Sequence, residues 1–280
     1  MTAATQVVNL PEGDATPEGR IGFGAFLNAE WIKIRTVRST FWTLVSLAVV
    51  SIGLTVLICA LSAESLADDL AKTPPDPDAH PDELISVGVV FGQVAALVLG
   101  VMVMSSEYAT GMIRSTLTAM PRRTSVLVAK ATVLVALLFV IGTIVAFIGY
   151  FAGNSFFENK DIGVPLDAPG VTRALIGNGL YVAVLGLFGF ALALLMRHTA
   201  GAITVGLAMI FVVGSLVSLL PGSWGDWVSK LMPGNAGGAI TAARRYDDSL
   251  LSPWVGFGVF CAEVGVLLLL GWWRFSRKDA

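Results

Sequence analysis

The residues best placed to do chemistry crowd into SSEYATGMIRSTLTAMPRR, Ser105 to Arg123, where a glutamate, a glycine, three arginines and a proline follow a long apolar run. Glu107, Arg114, Arg122 and Arg123 can pair with opposite charges or dock on a polar surface, but they include no nucleophile with an adjacent base. Covalent and metal chemistry find little support elsewhere. The two histidines, His80 and His198, lie in no H-E-x-x-H, no C-x-x-C occurs, and no Gly is followed by Lys, which excludes G-x-x-x-x-G-K-[ST]. The expectation is therefore a protein that is not an enzyme and that binds no metal or cofactor of its own.

The elements that position these residues are apolar. Hydrophobic residues make up 55% of the chain, charged residues 14%, and mean hydropathy is +0.77, far from a soluble domain. A net charge of -2 gives no footing for nucleic-acid binding. Cys59 and Cys261 both sit in apolar runs and read as small hydrophobes.

Six runs reach the length of about twenty residues that a hydrocarbon core demands: 41–61, 84–104, 126–151, 175–196, 200–220 and 254–273. In lipid, each must be helical to satisfy its backbone. The fold class expected is an all-α integral membrane protein with six transmembrane helices, an N-terminal interfacial amphipathic helix and both termini cytoplasmic. Residues 1–20 read as a solvated, disordered tail and 21–280 as a single transmembrane domain. The orientation rests on basic residues: twelve flank the spans on the side of the termini and six on the other.

Before the first span, Phe23, Phe26, Leu27, Trp31, Ile34, Val37 and Phe41 recur at spacings of three and four, as in an amphipathic helix running straight into the membrane. Arg35 falls on the opposite face, and Lys33 and Arg38 at its margins. Glu30 projects within the apolar stripe. It either snorkels to the interface or pairs with a cation on another element, such as the Glu107 to Lys130 segment. Between the second and third spans, Glu107 to Ala119 lacks proline and is predicted to form a short helix ended by Pro121. It is either a docking element or a stub whose arginines hold topology.

Together, EWIKIRTVRSTFW before the first span and SSEYATGMIRSTLTAMPRRTSVLVAK after the second resemble the membrane subunit of a type-two ABC exporter. The matching positions are Glu107, Gly111, Pro121, Arg122 or Arg123, and Lys130. The resemblance implies that Glu30, Trp31, Lys33, Arg35 and Arg38 belong to an interfacial "elbow" helix. It also implies that Glu107 to Pro121 is a coupling helix seated on a separate ATPase subunit, present in two copies, which carries ATP and magnesium. Partners would also include a second permease, identical or related, in a bacterial plasma membrane. The alternatives are a non-transporting scaffold or immunity protein, and an ion-coupled carrier using Glu263.

Polar residues within spans are costly in lipid and face protein or water. Gln93, Asn178 and Glu263 are accordingly candidates for a pathway or an interface, with interhelical hydrogen bonding as the other reading. Gly88 with Gly92, and Gly149 with Gly153, form small-xxx-small pairs suited to close helix packing. The acidic, proline-rich LADDLAKTPPDPDAHPDEL is expected to be extended, and 221–253, with Trp224 and Trp227, to lie on or dip into the outer leaflet.

Overall fold

The computed structural model describes residues 22–74, 76, 79–85, 87–109, 123–217, 219, 223–244 and 251–278. The expected tail, 1–20, and the central part of the expected coupling helix, with Gly111, Arg114, Pro121 and Arg122, lie outside them. Every regular element among the described residues is helical, and six helices are long and apolar enough to cross a membrane.

A first helix, α1 (Phe23–Thr36), is followed by α2 (Arg38–Ala71). The expected continuous run from elbow into span is corrected here. Val37 takes an extended conformation (φ -81°, ψ 113°) while its N–H donates to the Lys33 carbonyl, so one helix ends before the next begins. Glu30, read as projecting within the apolar stripe, is buried with Phe26 and Ile34, whereas Phe23, Trp31 and Val37 of that stripe are exposed.

At 1.5 Å per residue, the 34 residues of α2 extend about 51 Å, well past a core of about 30 Å. Its last turns carry Glu64, Asp68 and Asp69, so part of the segment expected to be extended is helical. A short helix, α3 (Pro81–Leu84), leads into α4 (Val89–Ala109), and α5 (Arg123–Glu158) returns. The hairpin partner α6 (Val171–Met196) starts at Gly170, whose left-handed φ of 90° makes the turn, and ends at Arg197 with φ 56°. Only His198 then separates it from α7 (Thr199–Leu207), and the His198 Nδ1 caps α7 by accepting from Gly201 N–H at 3.0 Å. The fifth span continues through a π turn (Ala208–Val213) into α8 (Gly214–Val217). Two short helices, α9 (Ser223–Lys230) and α10 (Pro233–Gly238), precede α11 (Pro253–Lys278).

The bundle is built around α6, the most enclosed span at 72% buried, against 22% for α2 and 17% for the fifth span. Its neighbours are α4, α5, α7 and α11. This closeness depends on glycine. A Cβ on Gly100 of α4 would overlap the Gly186 carbonyl of α6, so the two backbones touch there. The two glycine pairs read from the sequence both face α2. Gly88 and Gly92 lie against Ser51 and Thr55, while Gly149 and Gly153 lie against Thr55 and Cys59. Both seams are thus internal to the chain.

The 221–253 region divides by burial. Trp224 and Trp227 of α9 are exposed, while Pro233, Ala236 and Gly237 of α10 are buried, Gly237 against Tyr181 and Phe260. One side of the segment therefore packs on the bundle and the other presents tryptophan outward.

Candidate functional site: a buried ring of alternating charges

The second buried glutamate of the site comes from the last full turn of α4, and its partners come from α1 and α5. Apolar periodicity turns Phe26, Glu30 and Ile34 of α1 inward against the first turns of α5, where Val126 and Ala129 are buried. Glu107 stands three residues after the buried Met104, and Lys130 directly follows the buried Ala129. Close packing of three helix ends therefore brings two carboxylates and two ammonium groups together.

The four close a ring. Lys33 Nζ lies 3.0 Å from Glu30 Oε1 and 2.9 Å from Glu107 Oε1. Lys130 Nζ lies 2.5 Å from Glu30 Oε2 and 2.9 Å from Glu107 Oε1. Signs alternate around the ring and formal charge sums to zero. Glu30, Glu107 and Lys130 are at most 4% exposed, while Lys33 closes the ring toward solvent. Of the two readings open for Glu30, pairing with a cation on the Glu107 to Lys130 segment is the one realised. A cavity of about 110 Å³ adjoins the ring, with Thr40 and Ser106 on its walls.

Burial disfavours the charged Lys33 ammonium, but hydrogen bonds and Coulomb attraction from Glu107 and then Glu30 outweigh it, and its pKa is raised above the ordinary 10.5. A raised lysine pKa stabilises the fold fully at pH below 10.5 and loses that contribution as pH climbs through the folded value. The expected result is that the difference in thermal midpoint between wild type and Lys33→Met, in detergent, is constant at neutral pH and shrinks only above 10.5. A difference that collapses already at mildly alkaline pH would contradict this assignment.

Other candidates separate. Trp31, Arg35 and Arg38 are exposed on or just after α1 and take no part in the ring. Arg123 opens α5. Gln93 accepts a hydrogen bond from the Tyr181 hydroxyl at 2.5 Å, the interhelical tie that was one of its two readings. Asn178 is fully buried and Glu263 half-buried, and among the described residues neither the Asn178 amide nor the enclosed Glu263 Oε2 has a hydrogen-bond partner. Cys59 and Cys261 are both free.

Two residues carry more than the sequence reading gave them. Lys130 is a motif position and the end of the segment offered as a partner for Glu30, and a lone cation four residues into an apolar run calls for a buried carboxylate. Arg173, one of the six basic residues on the side away from the termini, donates from Nη2 to the carbonyls of Ala242 and Ala243 at 3.0 and 2.9 Å. Its signal was a guanidinium three residues after a turn glycine, at the mouth of an apolar run.

Fold and composition define a multi-pass, all-helical membrane protein held at one end by a charge ring. Over residues 83–280, the greater part of the chain, it matches the family described as "Protein of unknown function (DUF2705)", and it belongs to that family. It is 30% identical over 112 residues to the uncharacterized membrane protein YdbK of Bacillus subtilis, covering 39% of this chain and 45% of YdbK. It is also 33% identical over 108 residues to the DNA translocase FtsK of Corynebacterium glutamicum, covering 36% of this chain and 11% of FtsK. The chain thus spans less than half the length of either relative.

Proposed function

We propose that the chain is the permease subunit of an ATP-driven exporter in a bacterial plasma membrane. It forms the substrate pathway and couples to a separate ATPase subunit through residues 110–122. Both termini are cytoplasmic, and ATP and magnesium are held by the partner, of which two copies serve a pair of permeases. The observation that carries this reading is the charge ring. It binds α1 to the end of α4 and the start of α5, the two helices that the 110–122 connector joins.

Physical reasoning runs from that geometry to work. Three helices pinned at one point move together, and breaking a buried ion pair costs several kcal/mol. A push on the connector is then delivered to α1, α4 and α5 as a unit. It passes to α6 along the glycine contact between Gly100 and Gly186. These 280 residues contain no G-x-x-x-x-G-K-[ST], so in this reading the nucleotide is held outside them.

The test uses Arg122→Glu, a charge reversal at a residue that is not one of the four ring members, in the permease purified with its neighbouring ATPase. We expect substrate-stimulated ATP turnover to fall at least tenfold, a change of about 1.4 kcal/mol in coupling, while the thermal midpoint stays at the wild-type value. Unchanged turnover and transport, or labelling of an Arg122→Cys variant from outside the cell, would sink the proposal. Absence of any copurifying ATPase would favour a membrane scaffold whose connector recruits a partner without nucleotide.

A further inference from the structure

At the end of the bundle opposite the ring, a cavity of about 630 Å³ opens between the 162–171 turn, Asp82, and the Ala243 to Arg244 segment. We infer that this cavity is a binding site for an anionic group, a phosphate or carboxylate, held by the Arg173 guanidinium and the N-terminus of α6. The inference is independent of how, or whether, the protein is driven by ATP.

Arg173 is the first of three observations. It lines the cavity, half-buried, and its charge is not matched: among the described residues no carboxylate forms an ion pair with it. Its Nη2 is spent on two backbone carbonyls, and its Nη1 is enclosed with no acceptor. A guanidinium offers five N–H donors and is always protonated, so a partly desolvated one whose described partners are neutral carbonyls has no counter-charge among the described residues.

The helix end beside it points the same way. Val171 N–H is satisfied by the Ala168 carbonyl, but Gly170 supplies no side-chain cap, and the Thr172 hydroxyl is turned away to the Leu166 carbonyl. The positive end of the dipole of a 26-residue helix therefore lies at the cavity, which Gly170, Val171 and Arg173 line.

The wall is held by side chains of the bundle. Tyr150 donates its hydroxyl to the Val164 carbonyl at 2.6 Å, and Asn154 Oδ1 accepts from Val164 N–H at 2.8 Å, so α5 fixes the turn that lines one side. Gly170 permits the opposite wall to close, because a Cβ there would overlap the Ala243 carbonyl. Arg244 adds a second cation, though Asp82 lies 3.8 Å from its Nε and takes part of that charge. The volume lies within the range of about 300–1,000 Å³ usual for small-ligand sites.

The anion could be soluble or could be the phosphate of an outer-leaflet lipid, and the experiment has an arm for each. Wild type and Arg173→Met are titrated in neutral detergent with inorganic phosphate and with acetate, following thermal midpoint. In parallel, both are reconstituted in nanodiscs of phosphatidylcholine with or without phosphatidylglycerol. Binding of phosphate or acetate to wild type, weakened at least tenfold by Arg173→Met, identifies a soluble anion. No response to either salt, with an Arg173-dependent gain in midpoint from phosphatidylglycerol, identifies a lipid headgroup. Arg173→Lys keeps the charge and should retain part of either response. Arg244→Gln, which leaves Arg173 in place, should weaken it less. Wild type that responds to none of the three probes, or that responds equally when Arg173 is methionine, overturns the inference.

Discussion

Lys130→Met is expected to cost about 3–5 kcal/mol and to lower the thermal midpoint on the order of 10 °C, a large loss for one surface-silent change. The reason is not the value of the pair as such. With Lys130 present, each glutamate in the ring faces an ammonium; without it, Glu30 Oε2 and one side of Glu107 are left buried and unmatched. Lys33 cannot replace it, because it already serves both Glu30 Oε1 and Glu107 Oε1 from the solvent side. The companion experiment separates ring from packing. Neutralising all three buried members at once, as Glu30→Gln, Glu107→Gln and Lys130→Met, should recover much of the loss, since the one charge left, the Lys33 ammonium, reaches solvent. A single Lys130→Met variant that melts with wild type would show that the four groups are not the fastening they form here.

The second large effect is expected at Gly100. Gly100→Ala should destabilise by about 3 kcal/mol or prevent assembly of the bundle, because the added Cβ meets the Gly186 carbonyl and carbon, and backbone has no rotamer with which to yield. Gly186→Ala is a milder test of the same seam. There the first atom met is Leu138 Cδ1, the end of a flexible side chain. Gly258→Ala in α11, where nothing lies within 4 Å, is the control and should be neutral or slightly stabilising, as expected when glycine leaves a helix interior. Proteolysis and thermal unfolding of the three variants side by side give the ranking. Equal behaviour of Gly100→Ala and Gly258→Ala would mean that α4 and α6 are further apart than the contact implies.

Much of the fold was legible because lipid leaves so few options. An apolar run of about twenty residues must be helical, and all six runs read from the sequence correspond to membrane-length helices. Their ends were less legible. Hydropathy falls where charge begins, but helix does not, so α2 and α5 continue into polar residues to Ala71 and Glu158. The break at Val37 had no signal, since no glycine or proline marks it and periodicity passes through it unbroken. The site was half legible. Glu30 in an apolar stripe and Glu107 after a span each asked for a partner, yet which cation answers depends on how three helix ends meet. Gln93 had an ordinary reading that its bond to Tyr181 fulfils, whereas the partnerless Asn178 amide depends on packing no spacing rule reaches.

The row Leu47, Ser51, Thr55, Cys59 and Ala63 is what α2 turns toward the rest of the bundle, four residues apart and nearly all small. The surfaces it meets at Gly88, Gly92, Gly149 and Gly153 have no side chains at all. Large interlocking side chains would act as teeth, and this seam has almost none. What fastens it instead is backbone closeness: the Thr55 hydroxyl accepts from the Gly88 amide, and a side chain on Gly88, Gly92 or Gly153 would push α2 off its neighbours.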